Sequence, residues 1–107
     1  MFDKYRMDLN KFRQRVAANL PGITYGFVNN ERRQRTPYVV ECMGLARENL
    51  GDGAFKREYH RRRVWCIHQC SHGHEIEPMR DAMMQVVGYS YRFASCSDAA
   101  LFKTLFV

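Results

Sequence analysis

Hydrophobic side chains recur through the first 20 residues at spacings of three and four, which is the pattern of an amphipathic helix. The positions that form this apolar stripe are Phe2, Tyr5, Leu9, Phe12, Val16 and Leu20. Basic side chains lie off the stripe, and Pro21-Gly22 is a helix-ending pair. The pattern predicts a helix over residues 2–20 that packs on a core and turns a basic face to solvent.

Two segments rich in β-branched and aromatic side chains follow, at residues 23–28 and 36–43. Between them lie Asn29-Asn30, which favours a turn, and a polar loop with three arginines over residues 31–35. We predict that the two segments form antiparallel strands. Thr36-Pro37 is also a good helix start, so a helix over the second segment is the alternative.

The rest of the chain divides at its glycine and proline residues. Tyr89, Tyr91 and Phe93 alternate with serine, arginine and alanine, which is the period of a strand with one buried face. Glu77-Pro78 has the composition of a helix start, with acidic charge where the helix dipole favours it. The predicted elements are a short helix over residues 44–50, a long strand over 55–70, a helix over 77–87, a strand over 89–96 and a helix over 99–106.

These elements fit one domain, because a chain of 107 residues lies within the usual size range of a single domain. Short connections favour antiparallel pairing. We therefore predict a single α+β domain over residues 1–107, with an antiparallel β-sheet of three or four strands and about three helices packed on one face. The order of elements is similar to that of double-stranded RNA-binding domains. That family has a lysine-rich start to its second helix, where Glu75 and Glu77 stand here, so the chain is not assigned to it.

Basic side chains outnumber acidic ones by 17 to 11, which gives a net charge of +6, and 13 of the 17 are arginine. A guanidinium group binds phosphate or carboxylate through paired N–H donors and stacks on rings. The arginines concentrate in two clusters, within residues 31–35 and 56–63, and the second is interleaved with aromatic side chains. The predicted binding residues are Arg32, Arg33, Arg35, Lys56, Arg57, Tyr59, Arg61, Arg62, Arg63 and Trp65.

A surface that combines arginine with aromatic rings suits a binding protein, since arginine neutralises phosphates and exposed rings stack on unpaired bases. We predict a non-catalytic protein that contacts nucleic acid or a nucleoprotein through this patch. The alternative is that the patch binds an acidic protein surface, because arginine and aromatic side chains also dominate protein-binding hot spots. The sequence contains no phosphate-binding loop, no nucleophile-elbow glycines and no distinctive pair of carboxylates. We therefore predict no enzyme and no small-molecule substrate.

Cysteine and histidine alternate after the second arginine cluster, in the run CIHQCSHGH. If the run is extended, its period of two places these side chains on one face. Zinc prefers thiolate and imidazole ligands in a tetrahedron, and Cys42 or Cys96 could complete the set from a neighbouring strand. Buried free cysteine often serves only as a small hydrophobic residue, so we predict that the cysteines are core residues, that the histidines are exposed loop residues and that no cofactor is bound. The alternative is a structural zinc, whose candidate ligands are Cys66, His68, Cys70 and His72.

The last 17 residues, YRFASCSDAALFKTLFV, resemble the tails of small uncharacterised phage proteins, in which an aromatic strand leads into a short Asp-Ala-x-x-Phe-Lys segment. The resemblance implies a viral or mobile-element origin. It adds two expectations, a phage-type inhibitor or adaptor that binds and blocks a host protein complex, and a virion assembly protein. No apolar run approaches the roughly 20 residues of a membrane span, and the charged start is unlike a signal peptide. A cytoplasmic protein with no membrane partner is therefore predicted, in the host cytoplasm if the origin is a phage.

Overall fold

The computed structural model of the protein describes residues 13–16, 22–26 and 28–107. Its strands are β1 (Arg13–Val16), β2 (Thr24–Tyr25), β3 (Tyr38–Met43), β4 (His74–Arg80) and β5 (Val86–Phe93). Its helices are α1 (Asn30–Arg35), α2 (Arg47–Leu50), α3 (Asp52–Gln69) and α4 (Cys96–Phe106).

Within this described part of the chain, five strands form one sheet in the order β1-β3-β5-β4-β2, and every neighbouring pair is antiparallel. The central strand is β5, in which Tyr91 lies opposite Val40 of β3 and Ile76 of β4. The two outer strands, β1 and β2, are short. The α+β class with an antiparallel sheet is therefore confirmed.

One face of the sheet is apolar and is covered by α3 and α4. Tyr91 and Phe93 of β5 and Phe102 of α4 are fully buried. The Phe102 ring centroid lies 4.6 Å from that of Tyr91 and 5.2 Å from that of Phe93, within the range of favourable aromatic pairs. The alternation of aromatic side chains along β5 thus forms the floor on which α4 packs.

The predicted strand over residues 55–70 is wrong, because this segment is the 18-residue helix α3. Its buried positions are Phe55, Arg62 and Cys66, with Tyr59 half-buried and packed on the same core. Their spacing of four, three and four places them on one side of a helix. The stripe is hard to recognise in the sequence because an arginine occupies one of its positions.

The predicted helix over residues 77–87 is also wrong, since residues 77–80 complete β4 and Val86 begins β5. Pro78 is tolerated in the strand because its carbonyl faces β2, where it accepts a bond from the Gly26 amide at 2.9 Å. The N–H that proline lacks would also have faced β2, so the hydrogen bonds between β4 and β5 are not affected. Asp81 closes the hairpin: its Oδ1 accepts from the amides of Met83 and Gln85, at 2.9 and 3.0 Å.

The smaller elements agree in part with the sequence. The strand predicted over 36–43, the helix over 99–106 and the short helix over 44–50 correspond to β3, α4 and α2. The polar loop predicted over residues 31–35 is instead helix α1, whose N-cap Asn29 accepts a bond from the Arg32 amide at 2.9 Å.

The start of the chain and the strand pairing differ from the prediction as well. The segment at 23–28 contributes only the short strand β2, which pairs with β4 and not with β3. Of the helix predicted over residues 2–20, residues 13–16 form strand β1, and the other residues lie outside the described part.

A buried guanidinium joins the two helices on the apolar face. The Arg62 side chain is 1% exposed. Its Nη1 donates to the backbone carbonyl and to the carboxylate Oε1 of Glu58, at 2.9 and 2.8 Å, while its Nη2 donates to the carbonyl of Phe106 at 3.0 Å. Its guanidinium also lies 5.1 Å from the centroid of the Phe106 ring. Arg62 therefore fastens the last turn of α4 to the middle of α3.

Replacing Arg62 with alanine is expected to lower the free energy of unfolding by roughly 2–4 kcal/mol, because three hydrogen bonds and the packing under the Phe106 ring are lost. Arg63→Ala is the matched control, since Arg63 is the next residue and is exposed. We expect it to change stability by less than about 0.5 kcal/mol. Urea denaturation followed by circular dichroism measures both, and equal losses would contradict the role given to Arg62.

Candidate nucleic-acid interface

The two arginine clusters lie on opposite faces of the sheet. Glu75 and Glu77 alternate along β4 with Ile76, which packs on the apolar core, so the two carboxylates point to the other face. The arginines of α1 meet them there: the Nε of Arg32 donates to Glu75 at 2.9 Å, and Nη2 of Arg33 lies 3.5 Å from Glu77. The single patch expected from the sequence is therefore divided in two.

The α1 arginines are engaged in holding α1 to the sheet. Arg33 also donates from Nε to the Val28 carbonyl at 2.9 Å, and its own carbonyl accepts from Nη2 of Arg92 at 3.2 Å. Arg35 pairs with Glu31 along the helix at 3.1 Å. Arg32 and Arg33 are thus committed to contacts within the fold, whereas the exposed Arg35–Glu31 pair contributes little in water.

The face under α1 is polar and buried. Glu41, Glu77 and Ser90 are each 1% exposed, and the Tyr25 hydroxyl donates to Glu41 at 2.5 Å. Burial raises the pKa of the Glu77 carboxyl, although the positive charges of Arg33 and Arg92 act in the opposite direction. The arginines of α1 therefore offset the cost of burying carboxylates, which is a structural role.

The second cluster presents its charges to solvent. The basic face of α3 is the set of exposed side chains Lys56, Arg57, His60, Arg61 and Arg63. Arg61 pairs with Glu58 at 2.9 Å. Among the described residues, Lys56, Arg57 and Arg63 make no ion pair. Arg62, predicted as a binding residue, is corrected to a core residue because the helix turns it inward.

A cleft adjoins this face on the side of the hairpin between β4 and β5. It has a volume of about 570 Å³, and we call it the basic aromatic cleft. Its floor consists of three rings: the Tyr59 and Tyr89 centroids are 4.9 Å apart, and Phe55 stacks on Tyr59 at 5.6 Å. Its lining residues are Arg47, Phe55, Lys56, Arg57, Tyr59, His60 and Tyr89.

Two further arginines set the charge of this region. The guanidinium of Arg47 lies 5.3 Å from the centroid of Phe55. Burial and the neighbouring Tyr59 raise the pKa of Tyr89, while the positive charges of Arg47 and Arg80 act to lower it. Arg80 lines a smaller cleft of about 230 Å³ that shares Arg47, Phe55 and Tyr89 with the first one. Arg47 and Arg80 thus both bring positive charge close to Tyr89.

A groove between α3 and α4 lies on the other side of the basic face, with a volume of about 660 Å³. Trp65 lies in it, but its ring packs edge-on against Phe102 and Phe106 at 5.8 and 6.0 Å, so it is half-buried. Trp65 is therefore corrected from an open stacking ring to a packing residue. Leu101 and Leu105 of α4 are 54% and 55% exposed beside this groove. The groove-lining residues are His60, Arg61, Val64, Trp65, His68, Gln69, Leu105 and Phe106.

The zinc hypothesis loses its geometric basis, because the segment from Cys66 is helical and not extended. Cys66 and Cys70 turn into the core, while His68 and His72 are exposed. In the parts of the chain that the structure describes, no three His, Cys, Asp or Glu side chains are grouped so that they could hold a metal ion. The prediction that Cys66 and Cys70 are core residues and that the histidines are exposed agrees with these positions.

Sequence reasoning missed Arg47, His60 and Tyr89, which line the basic aromatic cleft, and Arg80, which lines the smaller cleft beside it. Tyr89 and Arg80 lie far along the chain from α3 and reach it through the β4–β5 hairpin. His60 is one helical turn from Lys56, so a helical reading of residues 52–69 would have included it. For Arg47 no signal was available, since its contact with Phe55 depends on the turn at Gly51.

Comparison with known protein families, with curated proteins and with solved structures finds no match to this chain. None of the helices in the described residues is long and apolar enough to cross a membrane.

The cysteines should differ sharply in reactivity, because burial raises the pKa of Cys42 to about 12 and that of Cys70 to about 11, and raises that of Cys66 as well. Only the thiolate reacts readily. Of the four, only Cys96 is exposed. With Ellman's reagent at pH 8 we expect one thiol to react quickly in the native protein and all four in urea. Rapid native reaction of two or more would contradict the core placement.

Proposed function

We propose that this protein binds nucleic acid through the basic face of α3 and the adjoining cleft, without catalysing a reaction. The observation that carries the proposal is the contrast between the two clusters. Every arginine of α1 has a carboxylate partner, whereas Lys56, Arg57 and Arg63 have none among the described residues. Cations left unpaired on one helix suit a polyanion, which supplies the counter-charges and releases its own counterions.

The spacing along α3 supports the same proposal. A helix rises about 1.5 Å per residue, so Lys56 and Arg63 lie roughly 10 Å apart along the axis. That distance covers about three phosphates of one strand at a rise of about 3.4 Å. With Arg47 beside the cleft, the surface provides enough cations to follow a short stretch of backbone. The α1 arginines are not part of the proposed interface.

Fluorescence anisotropy with labelled oligonucleotides tests the proposal. If the protein neutralises about four phosphates, the dissociation constant should rise roughly 100-fold between about 50 and 200 mM salt. The double variant Arg57→Ala/Arg63→Ala should weaken binding by about tenfold or more and reduce the salt slope by about two.

The matched control is Arg32→Ala/Arg35→Ala, which removes the same charge from α1 and should bind within about threefold of the wild type in the same assay. Equal losses in the two double variants would show that net charge alone drives binding. Absence of binding to every oligonucleotide at about 50 mM salt would exclude the proposed function.

A second candidate function, docking on an acidic protein surface, is favoured by the groove between α3 and α4. Exposed Leu105 lines a groove whose α3 side carries His60 and Arg61, and exposed Leu101 lies one helical turn before Leu105 on α4. An apolar strip beside basic side chains matches a partner that combines apolar anchors with acidic residues. If the origin is a phage, the partner would be a host protein complex. A virion assembly protein would instead self-associate, which size-exclusion chromatography detects.

For the protein-docking candidate, affinity capture from a host lysate treated with nuclease should retain one protein, and Leu101→Glu/Leu105→Glu should abolish that retention. Acidic side chains at these positions would repel an acidic partner and remove both apolar anchors. The control is Thr104→Glu, at an exposed position of the same helix. Retention by the leucine double variant would exclude the groove as the docking site.

A further inference from the structure

The basic aromatic cleft combines an apolar floor with a rim of one charge sign. Its seven lining residues include four basic or imidazole side chains and no acidic one. One of these four, Arg47, forms an ion pair with Asp52 at 3.6 Å, and both side chains are mostly exposed. Such a pair contributes little in water and leaves Arg47 able to bind another anion.

The floor offers ring faces and hydroxyl groups to a ligand. Tyr59 and Tyr89 are half-buried, while Phe55 beneath them is 7% exposed. No hydrogen bond among the described residues uses the hydroxyl of Tyr59 or Tyr89, so both hydroxyls can pair with a ligand. The volume of about 570 Å³ lies within the usual range of small-ligand sites, roughly 300–1,000 Å³.

A flat, weakly polar group with an attached anion would satisfy both parts of the cleft. A nucleotide base stacks on aromatic faces without regard to its identity, and its phosphates would reach the cations at the rim. In a duplex the bases are stacked on one another and only their edges are open, so a base can enter the cleft only when it is unpaired.

We propose that the basic aromatic cleft binds an unpaired nucleotide of a single strand, with the base on Tyr59 and Tyr89 and the flanking phosphates at Lys56 and Arg57. This inference rests on the proposed function and narrows it, since it makes single-stranded nucleic acid the preferred ligand. The rest of the basic face then follows the strand on either side of the inserted base.

The test uses 12-residue oligonucleotides of DNA and of RNA, each with 2-aminopurine at one central position, because stacking quenches the fluorescence of this base. We expect wild-type protein to change the emission on binding and to prefer the single strand over the matching duplex. Removing every base to leave a fully abasic strand, so that no register can place a base in the cleft, should weaken single-strand binding by roughly 5- to 150-fold, the range of one base–aromatic stack.

Two variants separate the contribution of ring stacking to binding from the contribution of charge. Tyr59→Leu keeps the apolar bulk and removes one of the two ring faces, so it should reduce both the emission change and the penalty for the abasic strand. Arg63→Ala should weaken binding but leave the emission change at saturation intact. The abasic comparison needs no variant, so it remains decisive if Tyr59→Leu fails to fold.

The outcomes distinguish this inference from the function on which it rests. Equal affinity for single strand, duplex and abasic strand, with no emission change, would overturn the cleft assignment and leave nucleic-acid binding in place. Binding of a free mononucleotide as tightly as the 12-residue strand would overturn the assignment to a strand. Binding to polyglutamate but to no nucleic acid would overturn both proposals and favour an acidic protein partner.

Discussion

The buried guanidinium of Arg62 fixes how α3 is turned, and the candidate interface depends on that rotation. It is held by Glu58 within α3 and by the Phe106 carbonyl at the end of α4. A helix with 3.6 residues per turn that buries positions 55, 62 and 66 must expose positions 56, 57, 60, 61 and 63. The rotation that buries Arg62 thus turns the four cations Lys56, Arg57, Arg61 and Arg63 outward.

The face of the sheet on which each arginine cluster packs decides whether its charges are neutralised within the fold. The register of β4 places Glu75 and Glu77 beneath α1, so that cluster meets carboxylates and is used to hold the fold together. On α3 a single carboxylate, Glu58, serves both Arg61 and Arg62. The remaining cations on α3 face solvent. Composition cannot distinguish the α1 cluster from the α3 cluster, because both segments are similarly basic. The difference comes from the register of β4, which places carboxylates beneath α1 only.

The sequence predicted those parts of the fold in which periodicity and burial agree. The alternating aromatic residues of β5 and the apolar stripe of α4 were located to within a few residues. The fold class followed from them. Prediction failed at α3, where Arg62 interrupts the apolar stripe, and at β4, where Pro78 suggests a helix start. In both places a tertiary contact, to the Phe106 carbonyl in one and to the Gly26 amide in the other, overrides the local signal.

The candidate site could be predicted only as far as its residues are adjacent in sequence. Lys56, Arg57 and Tyr59 were identified, whereas the cleft also needs Arg47 and Tyr89, which the sheet and the turn at Gly51 bring to them. The zinc alternative loses its geometric basis for a related reason. A period of two groups cysteine and histidine on one face of a strand, but the helix sends Cys66 inward and His68 outward.

The charge arrangement of α3 has an energetic consequence for the proposed interface. Like charges three or four residues apart on a helix destabilise it by a few tenths of a kcal/mol each, and Arg57 and Arg61 form such a pair. Glu58 relieves this repulsion at Arg61 only in part, because it also binds the buried Arg62. A polyanion on the exposed face would remove the remaining repulsion. Since a ligand that binds only the folded chain raises its stability, nucleic acid bound to this face of α3 would stabilise the protein.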